Sequence, residues 1–92
     1  MKKLTEAEIA EHLKAVPEWQ IKNGVLSRTF SFTDFVASMR FVNGVAEAAE
    51  KANHHPDIDI RYNKVTLGLV THDAGGITQS DFALAGESDE IV

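Results

Sequence analysis

The sequence predicts an α+β fold: a four-stranded antiparallel sheet with helices packed on one face, a two-layer sandwich forming a single domain over residues 1–92. Three observations predict it. Two stretches alternate apolar and polar residues on either side of short Asn-containing turns, the pattern of β-hairpins. Between them runs an apolar series at three- and four-residue spacing, the mark of an amphipathic helix. Short capped segments at the two ends add one helix each. The order helix, hairpin, long helix, hairpin, helix closes most simply as a sheet with its helices on one side. The other face is then left for a partner subunit or a ligand.

Each element has a local cause. Thr5 and Glu8 form a Thr-x-x-Glu capping box, which satisfies free N–H groups at a helix start. Ile9 and Leu13 follow at helical spacing, and Pro17 blocks continuation, giving a helix over about residues 6–14. Asn23-Gly24 readily takes the positive φ values of a tight turn, so residues 19–22 and 25–32 pair as a hairpin. A two-residue turn sets Lys22 opposite Val25 and Ile21 opposite Leu26. Trp19, Ile21, Leu26, Phe30 and Phe32 then share one face, and Arg28 falls among them without an evident reason. Thr33-Asp34 is an N-cap signal. Behind it Phe35, Val36, Met39, Val42, Val45, Ala46 and Ala49 form the apolar stripe of the longest helix. That helix cannot run far past Asn53, because His55 precedes Pro56 and is pushed towards extended geometry. Ile58, Ile60 and Tyr62 alternate with Asp57, Asp59 and Arg61 before Asn63-Lys64, and Val65, Leu67 and Leu69 follow as the second hairpin. Gly75-Gly76 makes a loop, and Thr78 opens a last helix through roughly Leu84.

Composition narrows the function. A chain of 92 residues fits one domain. A domain this small hides only roughly 60–70% of its unfolded surface, so its core is thin and self-association is expected. The formal net charge is -5, with no basic block or stripe, which disfavours direct nucleic-acid binding. The absence of cysteine rules out a disulfide framework, a thiolate zinc site and a cysteine nucleophile. Residues 1–11 lack the apolar core of a signal peptide, and no stretch is long enough to span a bilayer. A soluble cytoplasmic protein without a membrane partner is expected.

The chemistry sits with the histidines. If Tyr62 pairs with Val65, Ile60 meets Leu67 and Ile58 meets Leu69, and the same register carried outward brings His55 opposite His72. His54 lies next door at the end of the long helix. Two or three imidazoles therefore gather where a helix end meets a strand end. Histidine has an ordinary pKa of about 6.5, nearest neutrality among side chains. Neighbouring positive charges disfavour one another, so a cluster keeps some members neutral. One neutral and one protonated ring can act as base and acid together. That suits an elimination, in which a leaving hydroxyl takes a proton and a neighbouring atom loses one. Plainer readings stand beside this one. A His-His pair in a polar loop is commonly only solvent-exposed. Thr78-x-x-Asp81 is nearly a capping box, so Asp81 has a structural role open to it. Trp19 is more commonly a core or interface anchor than a ligand platform. His12, on the short first helix, is assigned no role.

Glu50-Lys51-Ala52-Asn53-His54-His55-Pro56, then Tyr62, His72 and Asp81, resembles the signature of the pterin-4a-carbinolamine dehydratases. The family pattern is an acidic or polar residue, three spacers, His-His-Pro, an aromatic after a short gap, a second histidine and a downstream aspartate. Tyr62-Asn63-Lys64-Val65, Thr71-His72-Asp73 and Gly76-Ile77-Thr78 are also similar to the family, and the likeness runs from Phe30 to Leu84. Departures are Ile77, where the family often has leucine, and Ser80, basic in some members. The resemblance implies dehydration of 4a-hydroxytetrahydropterin to quinonoid dihydropterin and water. This step recycles tetrahydrobiopterin for aromatic amino-acid hydroxylases, and it needs no metal or organic cofactor. It implies His54, His55 and His72 as catalytic residues, with His54 and His72 as acid and base in an order left open. It implies Pro56, Asp81, Glu50 and Trp19 as substrate-binding, with Asp81 either holding the pterin ring or orienting a histidine and Pro56 fixing the turn that aims the histidines. A homodimer or homotetramer is also implied.

Two other readings compete. The family fold serves as a dimerisation partner of a transcription factor in animals, so a non-catalytic interaction module is one. The other is a metal site from His54, His55, His72 and Asp81, whose ligand types suit zinc. Adjacent histidines seldom both reach one ion, and the i, i+4 spacing of helical metal motifs is missing.

Overall fold

The structure is a computed structural model and describes residues 2–92. Helix α1 spans Glu6–Leu13, strand β1 Gln20–Lys22, β2 Val25–Ser31, helix α2 Phe35–Ala52, β3 Asp57–Arg61, β4 Lys64–Leu69 and helix α3 Gln79–Ile91. A short 3-10 turn covers His72–Ala74. The four strands form one antiparallel sheet in the order β1-β2-β4-β3, so the two hairpins join through their second strands. The α+β architecture expected from the sequence is present.

Alternation on the two central strands builds the core. Leu26 and Phe30 of β2 and Val65, Leu67 and Leu69 of β4 face the helices and are buried. Phe41, Val45 and Ala49 of α2 and Phe82, Leu84 and Ala85 of α3 close over them. Phe30 and Phe41 meet with ring centroids 4.4 Å apart. On the opposite face Ser27, Thr29 and Ser31 line up with Gly68, Thr66 and Lys64. That surface is polar and bears no helix. Thr29 and Thr66 hydrogen-bond across it at 2.8 Å. β3 is an edge strand, exposed throughout. Its Ile58 and Ile60 point to the core side but remain 37% and 38% exposed, since the helices do not reach that far.

The caps behave as the sequence suggests. Thr5 and Glu8 form the reciprocal capping box of α1, and the Thr5 backbone N–H holds the Glu8 carboxyl below its ordinary pKa. Asp34 caps α2 through the Ala37 N–H at 2.8 Å. The β1–β2 turn has Asn23 at φ 51 and Gly24 at φ 77, the two positive values of a primed turn. Its register is Lys22 with Val25 and Ile21 with Leu26, as expected.

Three expectations need correction. In the second hairpin Ile60 pairs with Val65, Ile58 with Leu67 and Asp59 with Thr66, two residues away from the expected register. The turn is at Tyr62-Asn63, with Tyr62 itself left-handed at φ 52. Asn63 is fixed there by its contacts with Phe32, donating from Nδ2 to the Phe32 carbonyl at 3.1 Å and accepting the Phe32 N–H at 2.8 Å. An even shift preserves the faces, so the apolar assignments of Ile58 and Ile60 survive. The expected opposition of His55 and His72 does not. Second, α3 continues seven residues past Leu84 to Ile91. Its last turns pack on α2, where Gly44 lets Ile91 come close: a Cβ there would lie 2.7 Å from the Ile91 side chain. Third, Arg28 on the core face has a clear partner. It lies 4.1 Å from the Phe30 ring centroid and bonds Asp89 of α3 at 2.7 Å.

Candidate active site

The end of α2 delivers the first two histidines. Asn53 is left-handed at φ 50, and the His54 N–H bonds back to the Ala49 carbonyl at 3.0 Å. This six-to-one closure ends the helix and turns the chain sharply. Pro56 then forbids helix and leads into β3. His54 and His55 are thus held at a helix terminus. β4 supplies the third ring by running on through Val70 into the turn that begins at His72. A bridge between Thr71 and Gly76 closes that turn, with Gly75 left-handed at φ 75.

The three histidines meet around one open cavity of about 270 Å3, lined by Asn53, His54, His55, Val70, Thr71, His72 and Asp73. The sequence argument brought His55 and His72 together through a register the structure does not have. They converge because the α2 terminus and the turn after β4 lie side by side. A larger cavity of about 490 Å3 lies between the N-terminal segment, Ile21 and Ile77. No histidine lines it, so chemistry near neutral pH belongs to the smaller one.

Two of the rings have their own carboxylates. His54 Nε2 lies 2.5 Å from Asp81 Oδ1, with Asp81 fully buried. Asp81 Oδ2 accepts the Thr78 N–H at 2.8 Å and the Thr71 hydroxyl at 2.9 Å. Asp81 therefore caps α3 and holds a histidine at once, through different oxygens. An ionised carboxylate only accepts hydrogen bonds, so His54 donates from Nε2, and in its neutral form the ring then carries its lone pair on Nδ1. His55 Nε2 lies 2.5 Å from Glu50 Oε2 on the exposed side of α2. An exposed pair of this kind adds little stability, and its effect is to orient the ring. His72 has no side-chain hydrogen bond among the described residues. The arrangement offers one ring set as a base by a buried carboxylate and another free to carry a proton to solvent-facing substrate.

The remaining candidates fall outside the cavity lining. Pro56 is half-buried between His55 and β3. Glu50 touches the site through His55. Trp19 is 4% exposed in the core, its Nε1 donating to Asp89 at 2.9 Å. Among the described residues no group of three or more His, Asp or Glu is placed to hold a metal ion. His54 and His55 turn to different carboxylates. Among the described residues no helix is long and apolar enough to cross a membrane. Sequence reasoning missed Thr71 and Thr78 as parts of the site. The traces were the near capping box Thr78-x-x-Asp81 and the threonine just before His72, neither of which pointed to the contact between Thr71 and Asp81.

The family model described as Pterin 4 alpha carbinolamine dehydratase matches residues 2–91. A Chloroflexus aurantiacus protein assigned as a pterin-4-alpha-carbinolamine dehydratase is 56% identical over 92 residues, covering 100% of this chain and 99% of that one. The crystal structure of a Brucella melitensis transcriptional coactivator/pterin dehydratase superposes with a TM-score of 0.94 at 36% identity, covering 98% of each chain. A pterin dehydratase-like RuBisCO assembly factor of the alpha-carboxysome shares the fold alone, at a TM-score of 0.65 and 23% identity, over 79% of this chain and 84% of that one. The chain belongs to the pterin 4 alpha carbinolamine dehydratase family, a family of hydro-lyases.

Proposed function

We propose that the chain dehydrates a 4a-hydroxytetrahydropterin to quinonoid dihydropterin and water, in the recycling of tetrahydrobiopterin for aromatic amino-acid hydroxylation. The observation that carries this reading is the pairing of His54 with buried Asp81 in one cavity with His72, whose side chain has no hydrogen bond among the described residues. The C4a–O bond breaks as the 4a-hydroxyl takes a proton, and N5 loses one as the C4a–N5 double bond forms. The electron pair on N5 drives out the hydroxyl, so neither oxidant nor metal takes part. His54, backed by Asp81 and with Nδ1 as acceptor, takes the N5 proton. His72 gives one to the leaving hydroxyl. His55, oriented by Glu50, binds the pterin beside them, and Pro56 fixes the turn that aims both neighbours. Trp19 is assigned no contact with the pterin, since its indole N–H is engaged by Asp89. A cytoplasmic homodimer or homotetramer is the expected form. The thin core and the uncovered sheet face support self-association.

Titration with a stable pterin, 7,8-dihydrobiopterin, tests the binding side by NMR of the histidine rings. Signals of His54, His55 and His72 should move together. Those of His12, stacked on Phe82 with centroids 5.0 Å apart and away from the cavity, should stay fixed. Movement confined to His12, or none at all, would remove the pterin from this cavity.

A further inference from the structure

We infer that Thr71 is a positioning residue: its hydroxyl aims the Asp81 carboxylate and thereby holds His54 in the Nε2–H tautomer. This rests on the reading of His54 as the base. The observation is a chain of hydrogen bonds whose direction is fixed. Thr78 Oγ1 and Thr71 Oγ1 lie 2.8 Å apart, Thr71 Oγ1 lies 2.9 Å from Asp81 Oδ2, and His54 Nε2 meets Asp81 Oδ1 at 2.5 Å.

A hydroxyl has one proton to give and two lone pairs to receive with. Ionised Asp81 can only accept, so the Thr71 proton goes to Oδ2. Thr71 must then accept from Thr78, which leaves a single arrangement: Thr78 O–H to Thr71, Thr71 O–H to Asp81, and His54 N–H to Asp81. Thr78 and Asp81 are fully buried, so water does not compete for these positions. The Thr71 backbone is itself pinned, its N–H donating to the Gly76 carbonyl at 3.0 Å and its carbonyl accepting from Gly76 at 3.3 Å. Thr71 thus has a fixed origin from which to direct the carboxylate. It also immediately precedes His72. One residue therefore couples the turn that bears one histidine to the carboxylate that holds the other. Without the hydroxyl, Asp81 Oδ2 keeps the Thr78 N–H as its cap donor but loses the second of the two donors that together fix the orientation of the carboxylate, and with it the aim of Oδ1 at His54. His54 is then free to populate the Nδ1–H form, which presents no lone pair at Nδ1.

The test compares Thr71→Val with Thr71→Ser and wild type, by ring 15N NMR of neutral His54 and by steady-state kinetics. Wild type should show the proton on Nε2. Thr71→Val should show a mixture of tautomers and a kcat lower by on the order of tenfold, the weight of one hydrogen bond to a charged group, with KM little changed. Thr71→Ser should restore both. A Thr71→Val protein with the wild-type tautomer and wild-type kcat would overturn the proposal. So would wild type carrying the His54 proton on Nδ1, a result that needs no folded variant. If the tautomer shifts as expected while wild type fails to dehydrate the pterin, Thr71 keeps its role and the proposed reaction falls.

Discussion

His54→Ala and His72→Ala are each expected to lower kcat for pterin dehydration by about 10²–10⁴-fold, the usual weight of a general acid or base. Their stabilities should differ, and the difference identifies the mechanism. His54→Ala deprives buried Asp81 of the partner at Oδ1, a loss of about 1–3 kcal/mol. His72 is exposed and without a side-chain hydrogen bond among the described residues, so its removal should change stability by about 0.5 kcal/mol or less. Kinetics paired with thermal melts checks both statements. Near wild-type turnover in either variant would take that residue out of the chemistry.

The second large effect is expected at Asp81, where replacement by alanine and by asparagine should part company. Asp81→Ala removes the acceptor for the Thr78 N–H, the Thr71 hydroxyl and His54 together. Leaving such a buried set unpaired costs about 3–5 kcal/mol. That is a large share of the 5–15 kcal/mol, roughly, that holds a small domain together. Asp81→Asn keeps the shape and one acceptor oxygen for the cap. Its amide, however, presents N–H groups where His54 needs an acceptor, and so favours the tautomer with the proton on Nδ1. Asp81→Asn should therefore melt near wild type and lose about 10²–10⁴-fold in kcat, as wrong-tautomer substitutions do in carboxylate-histidine pairs. Loss of stability with kcat retained in the asparagine variant would confine Asp81 to the helix cap.

Much of this site was legible before the structure, for reasons that differ residue by residue. Asn23-Gly24 names its turn because only that dipeptide in its region favours two positive φ values. The second turn misled because Asn63 looked like its first residue. Tertiary contacts of Asn63 with Phe32 instead place the left-handed position on Tyr62, which no local preference announces. Convergence of His54, His55 and His72 was expected where the end of the long helix meets the end of a strand, but on a hairpin register that the structure does not have. The true cause is the packing of those two ends, not strand register. The partners were less accessible. Thr71 and Thr78 are seven residues apart across a glycine loop, and their joint grip on Asp81 exists only once the loop closes. Asp89 receives Trp19 and Arg28 from 70 and 61 residues away, contacts beyond any local pattern. The same contacts explain why Arg28 sits on a core face.

The most direct test follows the decay of a freshly generated 4a-hydroxytetrahydropterin by absorbance, with and without the protein, alongside His54→Ala. Wild type should accelerate water loss well above the spontaneous rate, and the variant should return the decay to nearly that rate. Decay at the spontaneous rate with folded wild-type protein would contradict the account and leave the histidine cavity as a retained scaffold for binding other proteins.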